Sequence, residues 1–115
     1  MIVLLGNHEI MNLMGDLRYV TNYSPFAGVD ADERRQASYQ AYTEWKTQRA
    51  EAYGKPAPSF TAEDEKEWMQ GHYRGYVERE EAFAPDGTYG AWLRTRKAIA
   101  RVGDYIFLHG GISPA

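Results

Sequence analysis

Three features of the sequence predict an α/β protein. An unalternating apolar run opens the chain at Ile2–Leu5, a long polar and aromatic stretch with helical spacing follows, and the tail returns to strand-like runs in "KAIARV" and "YIFLH". Strands that carry no polar alternation are covered on both faces, as in a layered sheet, so Ile2–Leu5 reads as a core strand. Gly6 breaks the run. The residues after it, "HEIMNLMG", read as a short helix with Ile10, Leu13 and Met14 at helical spacing and Gly15 as its stop.

The middle of the chain reads as helices. "TNYSPFAGVDADERRQ" is loop-like, with Pro25 and Gly28, and leads into a helix start in which Asp30 and Glu33 stand three apart, a relative of the capping box. A helix is predicted from Ala31 to Tyr53, with Gly54 and Pro56 as stop signals and Tyr39, Tyr42, Trp45 and Tyr53 as an aromatic stripe. Thr61 reads as a second N-cap, followed by Glu63, Asp64 and Glu65 where the helix dipole favours acids. The second helix is expected to run to about Phe83, weakened at Gly71 and Gly75, with Trp68, His72 and Tyr76 on one face. His72 reads as packing, and the charge runs "DADERR" and "AEDEKE" read as solvated helix faces and caps.

The tail changes character. "YGAWLRTR" reads as a turn and short helix or as irregular structure, and "KAIARV" and "YIFLH" as a hairpin closed by the two-residue turn Gly103-Asp104. The predicted division is thus residues 1–18 as core strand and its following turn, 19–88 as a helical excursion, and 89–115 as a core hairpin.

Composition narrows the function classes. The 115 residues suffice for one small domain, with 43% hydrophobic and 25% charged residues as in folded soluble chains. Nine Tyr, three Trp and four Phe give 14% aromatics, which points to a packed helical layer or a binding surface. A net charge of −3 argues against nucleic acid or an anionic membrane as partner. The lack of cysteine removes disulfides, thiolate metal sites and cysteine nucleophiles, and favours a cytoplasmic setting. No apolar run reaches the roughly 18 residues of a membrane span, and "MIVLLG" has no basic region of a secretory signal. Oligomeric state leaves no mark in the sequence.

Chemistry gathers at the two strand ends. Ile2–Leu5 leads into Gly6-Asn7-His8-Glu9, and Tyr105–Leu108 leads into His109-Gly110-Gly111-Ile112-Ser113-Pro114. In open α/β sheets ligands collect beyond the carboxyl ends of strands, so two such clusters on adjacent strands converge. The imidazole of His109 suits Mn, Fe or Zn, the amide oxygen of Asn7 is a hard neutral donor, and His8 is left to donate a proton. Glycines on both sides allow close approach. Each residue alone also has a plain reading: Asn and His after glycine often satisfy turns, and a lone histidine is usually half-buried packing.

Together, "LLGNHEIMNLMGDLRYV" and "YIFLHGGISP" resemble the calcineurin-like metallophosphoesterases, in the phosphoprotein-phosphatase branch, and within it the bacterial-type, Shewanella-like phosphatases. The strong likeness covers roughly residues 1–20 and 92–114. It implies part of a four-layer β-sandwich flanked by helices, with residues 19–88 as an insertion roofing the site. It also implies two divalent metal ions (Mn, Fe or Zn), a metal-bound hydroxide as nucleophile, and a phosphoprotein or small phosphoester as substrate. By the resemblance Asn7 and His109 are ligands of the second metal, His8 is the general acid, and Glu9 is the carboxylate that closes the motif. Arg18 is the candidate phosphate contact, with Arg94 and Arg96 as alternatives.

The pattern also departs from the family. The Asp-x-His and Gly-Asp-x-x-Asp-Arg motifs that supply the first metal's ligands, the bridging aspartate and a phosphate-gripping arginine are not in these residues, nor is a further histidine after "ISP". Two protein ligands hold a divalent ion weakly, since catalytic sites keep at least three. The expectation is therefore an internal fragment of a longer phosphatase domain, inactive alone, with the helical pair as its most orderly part. A dinucleoside-polyphosphate hydrolase of the same fold and a non-catalytic helical interaction module are the competing readings.

Overall fold

A computed structural model describes residues 1–111. The elements run α1 (Asn7–Leu13), a 3₁₀ turn (Ser24–Phe26), α2 (Ala31–Ala52), α3 (Ala62–Gly71), α4 (Tyr76–Phe83), α5 (Thr88–Arg94), β1 (Ile99–Val102) and β2 (Tyr105–Leu108). The chain divides into two compact units, Thr21–Arg79 and the combination of Met1–Val20 with the residues from Glu80 onward.

In Thr21–Arg79 the length of α2 follows from its composition, since Ala, Glu, Arg, Gln and Lys fill most of its 22 positions. It ends where the stop signals stand. Gly54 takes φ +63, and the Lys55 N–H returns to the Ala50 carbonyl at 2.8 Å, so the last carbonyls are satisfied by a left-handed cap. Asp30 occupies the N-cap position without capping: its side chain makes no bond to the helix's free N–H groups. Thr61 does cap α3, accepting from the Asp64 N–H at 3.3 Å while the Asp64 carboxylate accepts from the Thr61 N–H at 2.7 Å.

The tyrosine and tryptophan stripe joins α2 to α3. Tyr39 is buried, its ring centroid 5.5 Å from that of Trp68, and Gln36 donates to Glu65 at 2.8 Å alongside. The single helix expected over 61–83 is two helices. The Gly71-to-Gly75 stretch breaks it, with Gly75 at φ +92, packed so closely on the backbone of Tyr23 and Ala27 that a Cβ has no room. His72 straddles the break, stacked flat on Trp68 at 3.8 Å and edge-on to Tyr76 at 4.6 Å.

In the other unit, α5 confirms the short helix of "YGAWLRTR" and buries Leu93. The hairpin has the expected register, Ile99 opposite Leu108 and Val102 opposite Tyr105 across Gly103-Asp104. The expected β-sandwich architecture is overturned. The described residues are mostly helical, and their one sheet is the two-stranded antiparallel β1-β2. Ile2–Leu5 forms no ladder; it touches the hairpin region through one parallel bridge, Leu4 to Lys97. The physical reason is pairing. An apolar run becomes a buried strand only when neighbours bond both its edges and cover both its faces, and these residues supply a single bridge. Ile2, Ile99, Val102, Ile106 and Phe107 consequently stay about half exposed or more.

Candidate functional site

The site begins at Gly6. The Leu5 N–H donates to the Lys97 carbonyl at 2.9 Å, which ties the N-terminal run to the approach of β1. The chain then turns at Gly6 into α1 and places Asn7, His8 and Glu9 in its first turn. Glu9 Oε2 accepts from the Gly6 N–H at 2.8 Å, so this carboxylate secures the turn. A Cβ on Gly6 would stand 2.7 Å from that oxygen and 3.1 Å from the ring of His109. The glycine is what lets the imidazole lie against the turn.

His109 arrives from the other end of the sequence, directly after β2. Its Nε2 lies 2.9 Å from Asn7 Oδ1, a contact between residues 102 apart in sequence. With the proton on Nε2 this is an N–H donating to the amide carbonyl. Around the pair is a concavity of about 370 Å³ lined by Leu5, Asn7, Ile99, Leu108, His109 and Gly110. Both side chains are exposed, so the pair faces solvent.

The donor pair can be tested against a divalent cation. The observed 2.9 Å separation is that of a hydrogen bond, whereas two ligands each about 2.1 Å from a tetrahedral ion are about 3.4 Å apart. The shared proton would have to leave for an ion to take its place. The amide oxygen of Asn7 and the ring nitrogen of His109 are donor types that a divalent ion accepts, and a small separation of the two would make room for one. Among the described residues, no group of three or more His, Cys, Asp or Glu converges on a metal position. The Ile112-Ser113-Pro114 portion of the second motif lies outside the described residues.

The remaining candidates are placed differently. His8 is exposed, its ring 5.3 Å from that of Tyr19 at 58°. Arg18 is engaged by Asp16, Nε to Oδ1 at 2.9 Å and Nη2 to Oδ2 at 2.7 Å. The hydrogen bond from Arg18 holds the Asp16 carboxyl below its ordinary range, and the same bond raises Arg18. A phosphate can use Arg18 only in competition with Asp16. Arg96 lies over the Trp92 ring at 4.8 Å, and Arg94 Nη1 donates to the Phe83 carbonyl at 3.4 Å. Sequence reasoning missed the Asp16 partner because an i,i+2 pair after a helix stop has no periodic signal. It also missed Tyr19, whose aromatic ring was counted with the excursion although it packs on His8.

No helix among the described residues is long and apolar enough to cross a membrane. No family model matches the sequence, and no solved structure matches it. Among curated proteins, Shewanella-like protein phosphatase 2 of Arabidopsis thaliana is 29% identical over 116 residues, covering 93% of this chain and 27% of that protein. The chain thus spans about a quarter of the length of the curated relative it matches. That similarity supports a distant relation to a protein phosphatase.

Proposed function

We propose that this chain carries part of a metal-dependent phosphoester hydrolase centre, of the serine/threonine phosphoprotein-phosphatase kind. The supporting observation is the 2.9 Å approach of His109 Nε2 to Asn7 Oδ1, two donors brought from opposite ends of the sequence. In this reading both atoms hold one divalent cation, with Mn, Fe and Zn suited to an imidazole and an amide oxygen. Bound cations supply Lewis-acid stabilisation of charge on the phosphoryl oxygens and acidify water. His8 gives its proton to the departing oxygen. Glu9 holds the turn that presents Asn7 and His8, Gly6 lets the His109 ring lie against that turn, and the glycines at 110 and 111 leave space for the phosphoryl group. Two protein donors hold a divalent cation weakly, so this chain alone is expected to turn over phosphoesters at or near background.

A zinc titration of the 115-residue chain, followed by side-chain NMR, tests the reading without relying on turnover. The His109 ring and the Asn7 carboxamide signals shift together at millimolar zinc, and His109→Ala abolishes the Asn7 shift. A response centred on His72, with Asn7 unmoved, would remove the basis for a metal site at this turn.

A further inference from the structure

Thr21–Arg79 contains a second concave site that the hydrolase reading does not use. Tyr39 and Tyr42 from α2, Phe60 from the segment before α3, and Trp68 from α3 wall a cavity of about 310 Å³. Tyr42 lies 6.3 Å from Trp68, tilted, and 6.4 Å from Phe60, edge-on, between ring centroids, so the aromatic rings form one continuous lining. The polar side chains that join them are the carboxylates of Asp64 and Glu67 and the imidazole of His72, which covers one face of Trp68, and no Lys or Arg lines the cavity.

We propose that this cavity binds an alkylammonium group, held by the aromatic faces and the two carboxylates. The chemistry selects the ligand in steps. Aromatic faces carry a negative quadrupole and attract cations. Asp64 is fixed in place by its bonds to Thr61, and those bonds hold its carboxyl below the ordinary range, so the charge persists at neutral pH. Glu67 is exposed and makes no hydrogen bond or ion pair among the described residues, which leaves its charge available. An anion meets two like charges here, and a neutral apolar guest gains nothing from them. Two rings of the α2 stripe already carry cations from one turn further along the same helix. Lys46 Nζ stands 5.7 Å from the Tyr42 ring centroid and the Arg49 guanidinium 5.2 Å from that of Trp45. The volume sits at the lower end of the roughly 300–1,000 Å³ range of small-molecule pockets, which suits a headgroup or one side chain rather than a nucleotide.

The probe is choline, compared with its neutral isostere 3,3-dimethyl-1-butanol, both titrated into the metal-free 115-residue chain at constant ionic strength. The Trp68 indole N–H signal in heteronuclear NMR is the readout. Choline shifts the Trp68 signal saturably and the isostere does not. Glu67→Gln, an exposed change that leaves α3 intact, weakens choline by about two- to fivefold, the range of an exposed charge pair. Equal response to choline and the isostere, or a choline response unchanged in Glu67→Gln, overturns the proposal. A short peptide carrying trimethyllysine identifies the source of the group: tighter binding than choline assigns a modified protein side chain, and equal or weaker binding a small free amine. Because the sample holds no metal and Asn7 and His109 are untouched, the result is independent of the hydrolase reading.

Discussion

In Thr21–Arg79 aromatic side chains close a small core on one another; in the unit built from Met1–Val20 and the residues from Glu80 onward the strand residues meet solvent. Tyr23 and Tyr39 are each only 7% exposed, whereas Tyr105, Ile106 and Phe107, three consecutive residues of β2, are 74%, 59% and 52% exposed. The contrast is one of range. Helical aromatics find partners three or four residues away and on one neighbouring helix, so a short segment can close its own core. A strand needs other strands, and a lone hairpin is marginal in water. The residues proposed for chemistry sit in the second kind of unit and the residues that hold a fold sit in the first. Each can therefore be disturbed with a separate readout.

The largest expected effect is on chemistry. In a protein that joins this sequence to the remaining metal donors, His8→Ala lowers Mn-dependent hydrolysis of an aryl phosphate by about 10²- to 10⁴-fold, the usual weight of a general acid. The effect shrinks for a substrate whose leaving phenoxide needs no proton, and the far-UV helicity stays at its parent value. Equal loss on both substrates would reassign His8 to structure through its packing on Tyr19.

Next in size is the helical core. Tyr39→Ala removes a buried ring from the contact between α2 and α3 and is expected to cost about 3 kcal/mol. Urea unfolding followed at 222 nm measures it. The phenol gives a second signal. Burial, reinforced by the Glu65 and Asp64 carboxylates, pushes Tyr39 above the ordinary phenol range. A group raised in the folded state contributes stability below its unfolded value that is lost as pH rises through the folded one. Absorbance at 295 nm should therefore show a tyrosine ionisation above the ordinary phenol range, absent in Tyr39→Phe, at the pH where helicity falls.

What could be read in the sequence follows the same division. Local signals were sufficient for α2, whose predicted span Ala31 to Tyr53 differs by one residue from Ala31–Ala52, for the Thr61 cap, and for the Gly103-Asp104 hairpin. The meeting of Asn7 with His109 also follows from the sequence, as two polar clusters at two strand ends. The failures are non-local or depend on a particular rotamer. Ile2–Leu5 has the composition of a core strand, yet strand formation depends on neighbours that composition does not name. Asp30 has the residue type of a cap, but its carboxylate turns toward Gly28 and away from the helix. The break at 72–75 was visible only as two weakening glycines, because the close approach of Gly75 to Tyr23 depends on tertiary packing.

That approach yields the third prediction. Gly75→Ala must place a side chain at φ +92 and against the Tyr23 carbonyl, so it is expected to cost about 2 kcal/mol or more. Gly71→Ala, in open space at the end of α3, is the control and is expected to be neutral or slightly stabilising. A parallel loss in both variants would mean that helix continuity, rather than the contact with Tyr23, governs this segment.

The smallest effect separates the two units by the nature of their exposed carboxylates. Losing Thr61 as N-cap costs α3 about 1 kcal/mol, read as a lower thermal midpoint in Thr61→Ala. The hydrogen bond from Thr61 holds the Asp64 carboxyl low, so its contribution is present above the unfolded value of about 3.9 and lost as pH falls through the folded one. The drop in midpoint between pH 5 and 2 should accordingly be shallower in Thr61→Ala. Asp16 is also held low, first by the hydrogen bond from Arg18, but here the donor is a charged, exposed guanidinium. Salt at about 1 M shortens the Debye length to about 3 Å. Any effect of Arg18→Ala should therefore fade in high salt, while that of Thr61→Ala persists, because a neutral hydroxyl and a backbone N–H are not screened as an ion pair is.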